Sequence, residues 1–118
     1  MRVLDGEQTL VRIFLGESDR WRGRPLADAL VERLREAGFA GATVMRGVSG
    51  FGAHSILHTA SLLRLSQDLP MIVEVVDTEE KAQQLLPILD EMVHEGLVTM
   101  EKVRVVKYAA QRRALASG

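Results

Sequence analysis

The 118-residue chain contains no cysteine, which excludes disulfides, thiolate metal sites and cysteine nucleophiles. Aromatic residues make up only 4% of the chain, too few for the paired aromatic platform of an RNA-binding sheet. There is no basic excess, because 15 Lys and Arg oppose 16 Asp and Glu, and the net charge of -1 disfavours nonspecific attachment to nucleic acid. No uncharged stretch holds the roughly 20 apolar residues of a membrane span. We therefore expect neither a nucleic-acid partner nor direct membrane insertion.

The residues that are present describe an ordinary globular protein. The chain is 47% hydrophobic and 26% charged, which predicts a single domain over residues 1–118. The first eight residues include Arg2, Asp5 and Glu7 and no apolar run, so no signal peptide is expected. Together with the lack of cysteine, this pattern favours the cytoplasm.

Alternating apolar residues predict strands at four places. The first and third are the clearest, Thr9–Leu15 and Met71–Asp77, because β-branched residues lie on one side of each. Gly41–Ser49 is predicted as the second strand. The last strand is predicted at Val103–Tyr108, with a separate short extended piece at Val98–Met100.

Two segments have apolar residues at helical spacing. The first predicts a helix over Pro25–Ala37, with proline at the first helical position and Gly38 as the stop. The second predicts a helix that is capped by Asp77, is irregular near Pro87 and ends before Gly96.

The resulting order is βαββαβ, which specifies an α+β fold: a ferredoxin-like sandwich with an antiparallel sheet and two helices on one face. A long excursion at 50–69 separates the second and third strands, and the tail at 109–118 is predicted to be flexible. The second face of the sheet is partly apolar, so we expect a homo-oligomer to bury it. Its apolar residues are Leu10, Phe14, Ile72 and Val76.

Several segments resemble the PII nitrogen-signalling proteins. Glu36–Val44 followed by Gly50–Gly52 looks like the segment that leads into the T-loop, the long loop of PII proteins, and Val73–Val76 is similar to their third strand. More closely, Trp21–Tyr108 resembles an uncharacterised PII-like family known as domain-of-unknown-function family 190. The segments that carry this closer resemblance are 23–26, 46–54, 65–70 and 91–99.

The resemblance implies a PII-like homotrimer whose sheets line the inside, with ligand sites in clefts between subunits. In PII proteins these clefts bind ATP or ADP, and occupancy decides how the T-loop engages a transporter, an enzyme or a regulator. By this resemblance the chain is a regulatory protein that binds a small anionic ligand, such as ATP, ADP or AMP. It then controls a partner protein, such as a membrane transporter or ion channel, through the loop at 53–69.

The resemblance also identifies candidate ligand-binding residues. Gly50, Phe51 and Gly52 match the glycine-rich turn at the T-loop base. Thr43 matches the threonine of the second strand, and Glu74 matches the glutamate of the third. Glycines in such a turn let backbone N–H groups approach a phosphate closely. With neighbouring basic residues and a histidine, the expected site consists of Thr43, Arg46, Gly50, Phe51, Gly52, His54, Glu74 and Arg104.

Two features depart from the PII pattern. The glycine-rich loop after the second helix, which carries a phosphate-binding lysine in PII proteins, is replaced here by Glu95–Thr99. The loop at 53–69 contains no tyrosine, which excludes the uridylylation known in some PII proteins at that place.

Other readings compete with a nucleotide sensor. His54 and His58 are four residues apart, the minimal geometry for two imidazole ligands, which leaves open a metal-binding trimer similar to the divalent-cation tolerance proteins. Ser55 and Ser61 lie near these histidines, but no nucleophile elbow or orienting acid accompanies them, so we expect no enzyme.

The loop before the first helix also has two interpretations. Trp21 either stacks on a base or anchors its loop over the core or a neighbouring subunit. Arg20, Arg22 and Arg24 either bind an anion or form a solvated rim.

Overall fold

A computed structural model describes residues 4–51 and 69–109 of the chain. Its main sheet has four antiparallel strands in the order β4-β5-β1-β6, and two helices pack on one face. This arrangement confirms the predicted ferredoxin-like α+β sandwich. The strands of this sheet are β1 (Gly6–Gly16), β4 (Thr43–Arg46), β5 (Pro70–Asp77) and β6 (Leu97–Val105). A small hairpin of β2 (Arg20–Trp21) and β3 (Arg24–Pro25) precedes α1 (Leu26–Glu36), and α2 (Glu79–Met92) lies between β5 and β6.

The core lies between the two central strands and the helices. Every second residue of β1 and β5 is buried there, because successive side chains of a strand point to opposite faces. The helices contribute leucines at the spacing read from the sequence, of which Leu30 and Leu85 are fully buried. Among the described residues, the largest fully buried side chains are Val11, Ile13, Leu30, Leu34, Val73, Val75, Asp77 and Leu85.

Helix α1 ends at a glycine, as predicted. Gly38 has a φ of +83°, its N–H donates to the Arg35 carbonyl at 3.1 Å, and the Phe39 N–H donates to the Leu34 carbonyl at 3.1 Å. This pair of bonds is a Schellman motif, which requires a left-handed residue. Lys81 of α2 reinforces the end, because its ammonium donates to the Ala37 carbonyl at 2.5 Å.

The start of α2 differs from the prediction. Asp77 is not the cap, since it is buried and accepts hydrogen bonds from the backbone N–H groups of Ala40 and Thr78, at 2.8 and 2.7 Å. The cap is Thr78, whose hydroxyl accepts from the Lys81 N–H at 3.1 Å. The helix runs on through Pro87 as a single element.

Three strand predictions also need correction. The second strand was expected over Gly41–Ser49, but β4 contains only four residues, all of them exposed at the edge of the sheet. The last strand was expected at Val103–Tyr108, with a separate short extended piece at Val98–Met100. The structure has one continuous strand there, β6, which begins at Leu97 and pairs with β1 along its whole length. The first strand extends from Gly6 to Gly16, beyond both predicted ends.

The polar stretch before α1 forms the hairpin that the sequence did not predict. Arg22 and Gly23 have φ values of +51° and +83°, as a two-residue type I′ turn requires. Trp21 is half-buried and packs against the core, with the Arg22 guanidinium 4.9 Å from its ring centroid. Its role as an anchor is therefore confirmed.

The sheet face without helices, which we call the open face, is partly apolar. Phe14, Ile72 and Val76 are only half-buried there, and Leu97 of β6 is 58% exposed. The sequence predicted this second apolar face. The face is exposed in the single chain, and its burial in a homo-oligomer stays a prediction. No helix within 4–51 and 69–109 is long and apolar enough to cross a membrane.

Candidate functional site

The two ends of the 50–69 excursion meet at the end of β1. The Glu17 N–H donates to the Leu69 carbonyl at 2.8 Å, and the Gly47 N–H donates to the Pro70 carbonyl at 2.7 Å. These bonds join three parts of the chain that are far apart in sequence. We call the five residues Glu17, Arg46, Gly47, Leu69 and Pro70 the loop base.

The chain passes Pro70 closely at two glycines. A Cβ on Gly47 would lie 3.1 Å from the Pro70 Cβ, and one on Gly50 would lie 3.0 Å from the Pro70 Cγ. Gly50 also has a φ of +149°, which side-chain-bearing residues rarely adopt. The glycine-rich turn predicted at this place is thus consistent with the backbone as far as Gly50.

The loop base carries one ion pair. Arg46 Nη2 lies 2.5 Å from Glu17 Oε2, and the two side chains are 60% and 31% exposed. The guanidinium is therefore at the surface, where a dissolved anion can reach it. Phe51 directly follows Gly50 in the sequence and is 67% exposed, so its aromatic ring lies in solvent.

The basic hairpin begins just after the loop base. Asp19 holds this connection, because its carboxylate accepts from the Gly16 N–H at 2.9 Å and its carbonyl accepts from the Leu26 N–H at 2.8 Å. Arg24 pairs with Glu32 of α1 at 3.0 Å, and Arg20 is a second exposed arginine of the same hairpin. Cationic side chains are thus concentrated in the segment that follows the loop base.

Thr43 and Glu74, two of the expected site residues, lie next to each other. They are direct partners across β4 and β5. Glu74, however, is engaged by Arg12 of β1, whose Nε donates to Glu74 Oε2 at 2.6 Å and whose Nη1 donates to Glu101 Oε1 at 2.8 Å. The hydrogen bond to Glu74 is the main reason why the pKa of the Arg12 guanidinium rises above its ordinary value.

Arg104 lies at the opposite end of the sheet from Arg46. Arg46 is level with Leu15 of β1, through Met71, and Arg104 is level with Glu7. Eight residues of strand separate these two levels, which is about 26 Å. One copy of the chain therefore does not place Arg46 and Arg104 in one site.

The remaining predicted site residues lie outside the described ones. These are Gly52 and His54, together with His58 of the metal alternative. Among residues 4–51 and 69–109, no group of three or more histidine, aspartate or glutamate side chains is close enough to hold a metal ion. His94 is exposed.

Sequence reasoning missed Glu17, Leu69 and Pro70 as parts of the loop base. Glu17 and Leu69 carry no motif, and their bond joins positions 52 residues apart in the chain. The one usable signal was Pro70, the residue just before the predicted third strand. The sequence pattern predicted Gly47 as a strand residue, whereas in the structure it lies close to the Pro70 ring.

Sequence comparison identifies the family of the chain. The family model DUF190, described as "Uncharacterized ACR", matches residues 8–105. The chain belongs to the DUF190 family. Among its relatives, a UPF0166 protein from Aquifex aeolicus is 38% identical over 90% of this chain and 98% of its own length. A UPF0166 protein from Methanocaldococcus jannaschii is 33% identical over 83% of this chain and 91% of its own length.

Solved structures place the DUF190 chain among PII-like proteins by fold. CPII from Thiomonas intermedia, described as bound to ADP and bicarbonate, has a TM-score of 0.63 and 19% identity, covering 86% of this chain and 90% of its own. The same protein is also described as bound to ADP, AMP and acetate. A PII-like signaling protein from Thermus thermophilus has a TM-score of 0.59 and 23% identity, covering 86% of this chain and 91% of its own. At these identities the likeness establishes the fold alone.

Proposed function

We propose that this chain is a cytoplasmic PII-like regulatory protein, not an enzyme, that forms a homotrimer and binds an adenine nucleotide in clefts between subunits. The observation that carries the proposal is the loop base, where a surface guanidinium stands beside the glycine turn that starts a long excursion. The fold supports it, since CPII, which shares that fold, is described as bound to ADP and AMP. Arg46 and Gly50 are the residues that we expect to hold the ligand phosphates.

The separation of the basic residues favours a site between subunits. Arg46 and Arg104 lie about 26 Å apart along one sheet, so a ligand that touches both must contact two copies of the chain. The exposed apolar residues of the open face, such as Leu97, gain a favourable free energy if copies cover them.

We further propose that nucleotide occupancy changes how the 53–69 loop docks on a partner protein, such as a membrane transporter or ion channel. The loop base supports this connection because Arg46 immediately precedes Gly47, whose N–H holds the far end of the excursion at Pro70. A ligand at Arg46 therefore acts within one residue of the point at which the loop is closed.

Isothermal titration with ATP, ADP, AMP and cyclic AMP tests the proposal, on protein whose oligomeric mass is known from light scattering. Arg46→Ala is expected to weaken binding by about 10- to 100-fold, because a hydrogen bond to a charged group contributes about 1.5–3 kcal/mol. Gly52→Val tests the rest of the glycine turn. Arg35→Ala is the matched control, because it removes an exposed arginine of α1 that is not part of the loop base.

Saturable binding by a trimer, lost in Arg46→Ala and kept in Arg35→Ala, supports the sensor. A well-folded protein that binds none of the four nucleotides refutes it. In that case Cu²⁺ or Zn²⁺ titration against a double variant, His54→Ala with His58→Ala, decides whether the metal-binding alternative applies.

A further inference from the structure

Glu17 holds the loop base in two separate ways. Its backbone N–H bonds the Leu69 carbonyl, and its carboxylate pairs with the Arg46 guanidinium. The first bond is independent of the side chain and closes the excursion. The second places a negative charge on the cation that an anionic ligand would use.

We propose that Glu17 is an internal competitor of the ligand at Arg46, a positioning residue that lowers affinity in proportion to the ligand's negative charge. This inference rests on the proposed function, because it assumes that Arg46 meets the ligand. Glu17 occupies Nη2 of Arg46, so a phosphate that uses the same donor of the planar fork must displace the carboxylate.

The size of the effect follows from the exposure of the pair. With Arg46 and Glu17 60% and 31% exposed, their ion pair resembles surface pairs, which are worth about 0.2–1 kcal/mol. A ligand phosphate therefore displaces the carboxylate at a small cost. Removing that cost, and the repulsion between Glu17 and the phosphates, should tighten binding of ADP and ATP by about two- to five-fold.

The direction of this change separates competition from a structural role. A residue that only supports the site weakens binding when it is changed, and it does so for neutral and charged ligands alike. Glu17→Gln keeps the backbone bond to Leu69 and nearly the same side-chain shape, while it removes the charge. Tighter binding that grows with ligand charge is the signature of a removed competitor.

Titrations of the full chain with adenosine, AMP, ADP and ATP test the inference. Glu17→Gln should bind ADP and ATP about two- to five-fold more tightly and adenosine no differently, and Glu17→Asp should bind all four like the wild type. The matched control is Glu91→Gln, which breaks the 3.2 Å pair with Arg33 between the helices and should change nothing. Unchanged or weaker nucleotide binding by Glu17→Gln overturns the inference.

A double variant tests whether Glu17 acts through Arg46. If it does, adding Glu17→Gln to Arg46→Gln raises nucleotide affinity by less than adding it to the wild type does, and an equal gain overturns the inference. The wild-type titration separates this failure from failure of the proposed function. Binding by Glu17→Gln but not by wild type supports both, whereas no binding by either overturns both.

Discussion

Gly96, between α2 and β6, is a position where a single methyl group should damage the fold severely. A Cβ built there lies 2.6 Å from the Phe14 carbonyl oxygen, a backbone atom of the central strand that cannot rotate away. The φ of Gly96 is +150°, which adds a conformational penalty for any other residue. Gly96→Ala therefore combines a steric overlap with backbone strain.

The two terms give an expected loss of stability. Overpacking costs about 1–3 kcal/mol and a residue forced into a sparsely populated conformation about 1–3 kcal/mol, so the unfolding free energy should fall by about 2–6 kcal/mol. A domain of 118 residues has a total of about 5–15 kcal/mol. The corresponding drop in Tm is about 8–24 °C.

Urea and thermal unfolding followed by circular dichroism measure this loss, at one fixed protomer concentration because assembly contributes to apparent stability. Two glycines serve as controls. Gly23→Ala, with a φ of +83° and no atom within 4 Å of the new Cβ, isolates the strain, at about 1–2 kcal/mol. Gly41→Ala meets neither penalty and should change stability by less than about 1 kcal/mol. If Gly96→Ala loses no more than Gly23→Ala, the steric argument is wrong.

Two further predictions concern the contacts that tie α2 to the rest of the fold. Lys81→Met removes the ammonium that donates to the Ala37 carbonyl, so urea unfolding should show a loss of about 0.5–1.5 kcal/mol in unfolding free energy. The control is Lys102→Met, which should lose less than about 0.5 kcal/mol because its ion pair with Glu7 is exposed. Equal losses in the two variants contradict the prediction. The pKa of Glu79 is lowered, chiefly by the hydrogen bond from Gln83 and next by the one from Thr9. The stability that the Glu79 carboxylate contributes is therefore present above the ordinary glutamate pKa, and it is lost as the pH falls through the lowered pKa of Glu79. The stability difference between wild type and Glu79→Gln, measured in urea at pH 7 and about pH 3, should shrink at the lower pH.

The parts of the fold that could be predicted from sequence are those where one pattern outweighs every alternative. Residues 9–15 and 71–77 alternate because one side of each central strand is buried, so both strands were recognised. Gly38 ends α1 because the chain there needs a left-handed residue. At the edges of the sheet packing constrains the sequence less. The bounds of β4 and β6 were therefore wrong, although both strands were expected.

The cap of α2 shows how tertiary contacts choose between local candidates. Asp77 and Thr78 are both good cap residues, and sequence favoured Asp77. In the folded chain the Ala40 N–H donates a hydrogen bond to the Asp77 carboxylate, and Thr78 caps the helix instead. No local pattern records that competition, because Ala40 is 37 residues away.

The sequence by itself determined the family resemblance, the order of elements and the glycine turn before the excursion, since these depend on neighbouring residues and on periodicity. Tertiary structure alone decided which residues close the loop base. In the folded chain Arg46 forms an ion pair with Glu17, and Glu74 forms one with Arg12. The strand register also separates Arg46 from Arg104. Each of these outcomes depends on strand register, which sets distances between residues far apart in the chain and leaves no trace in local spacing.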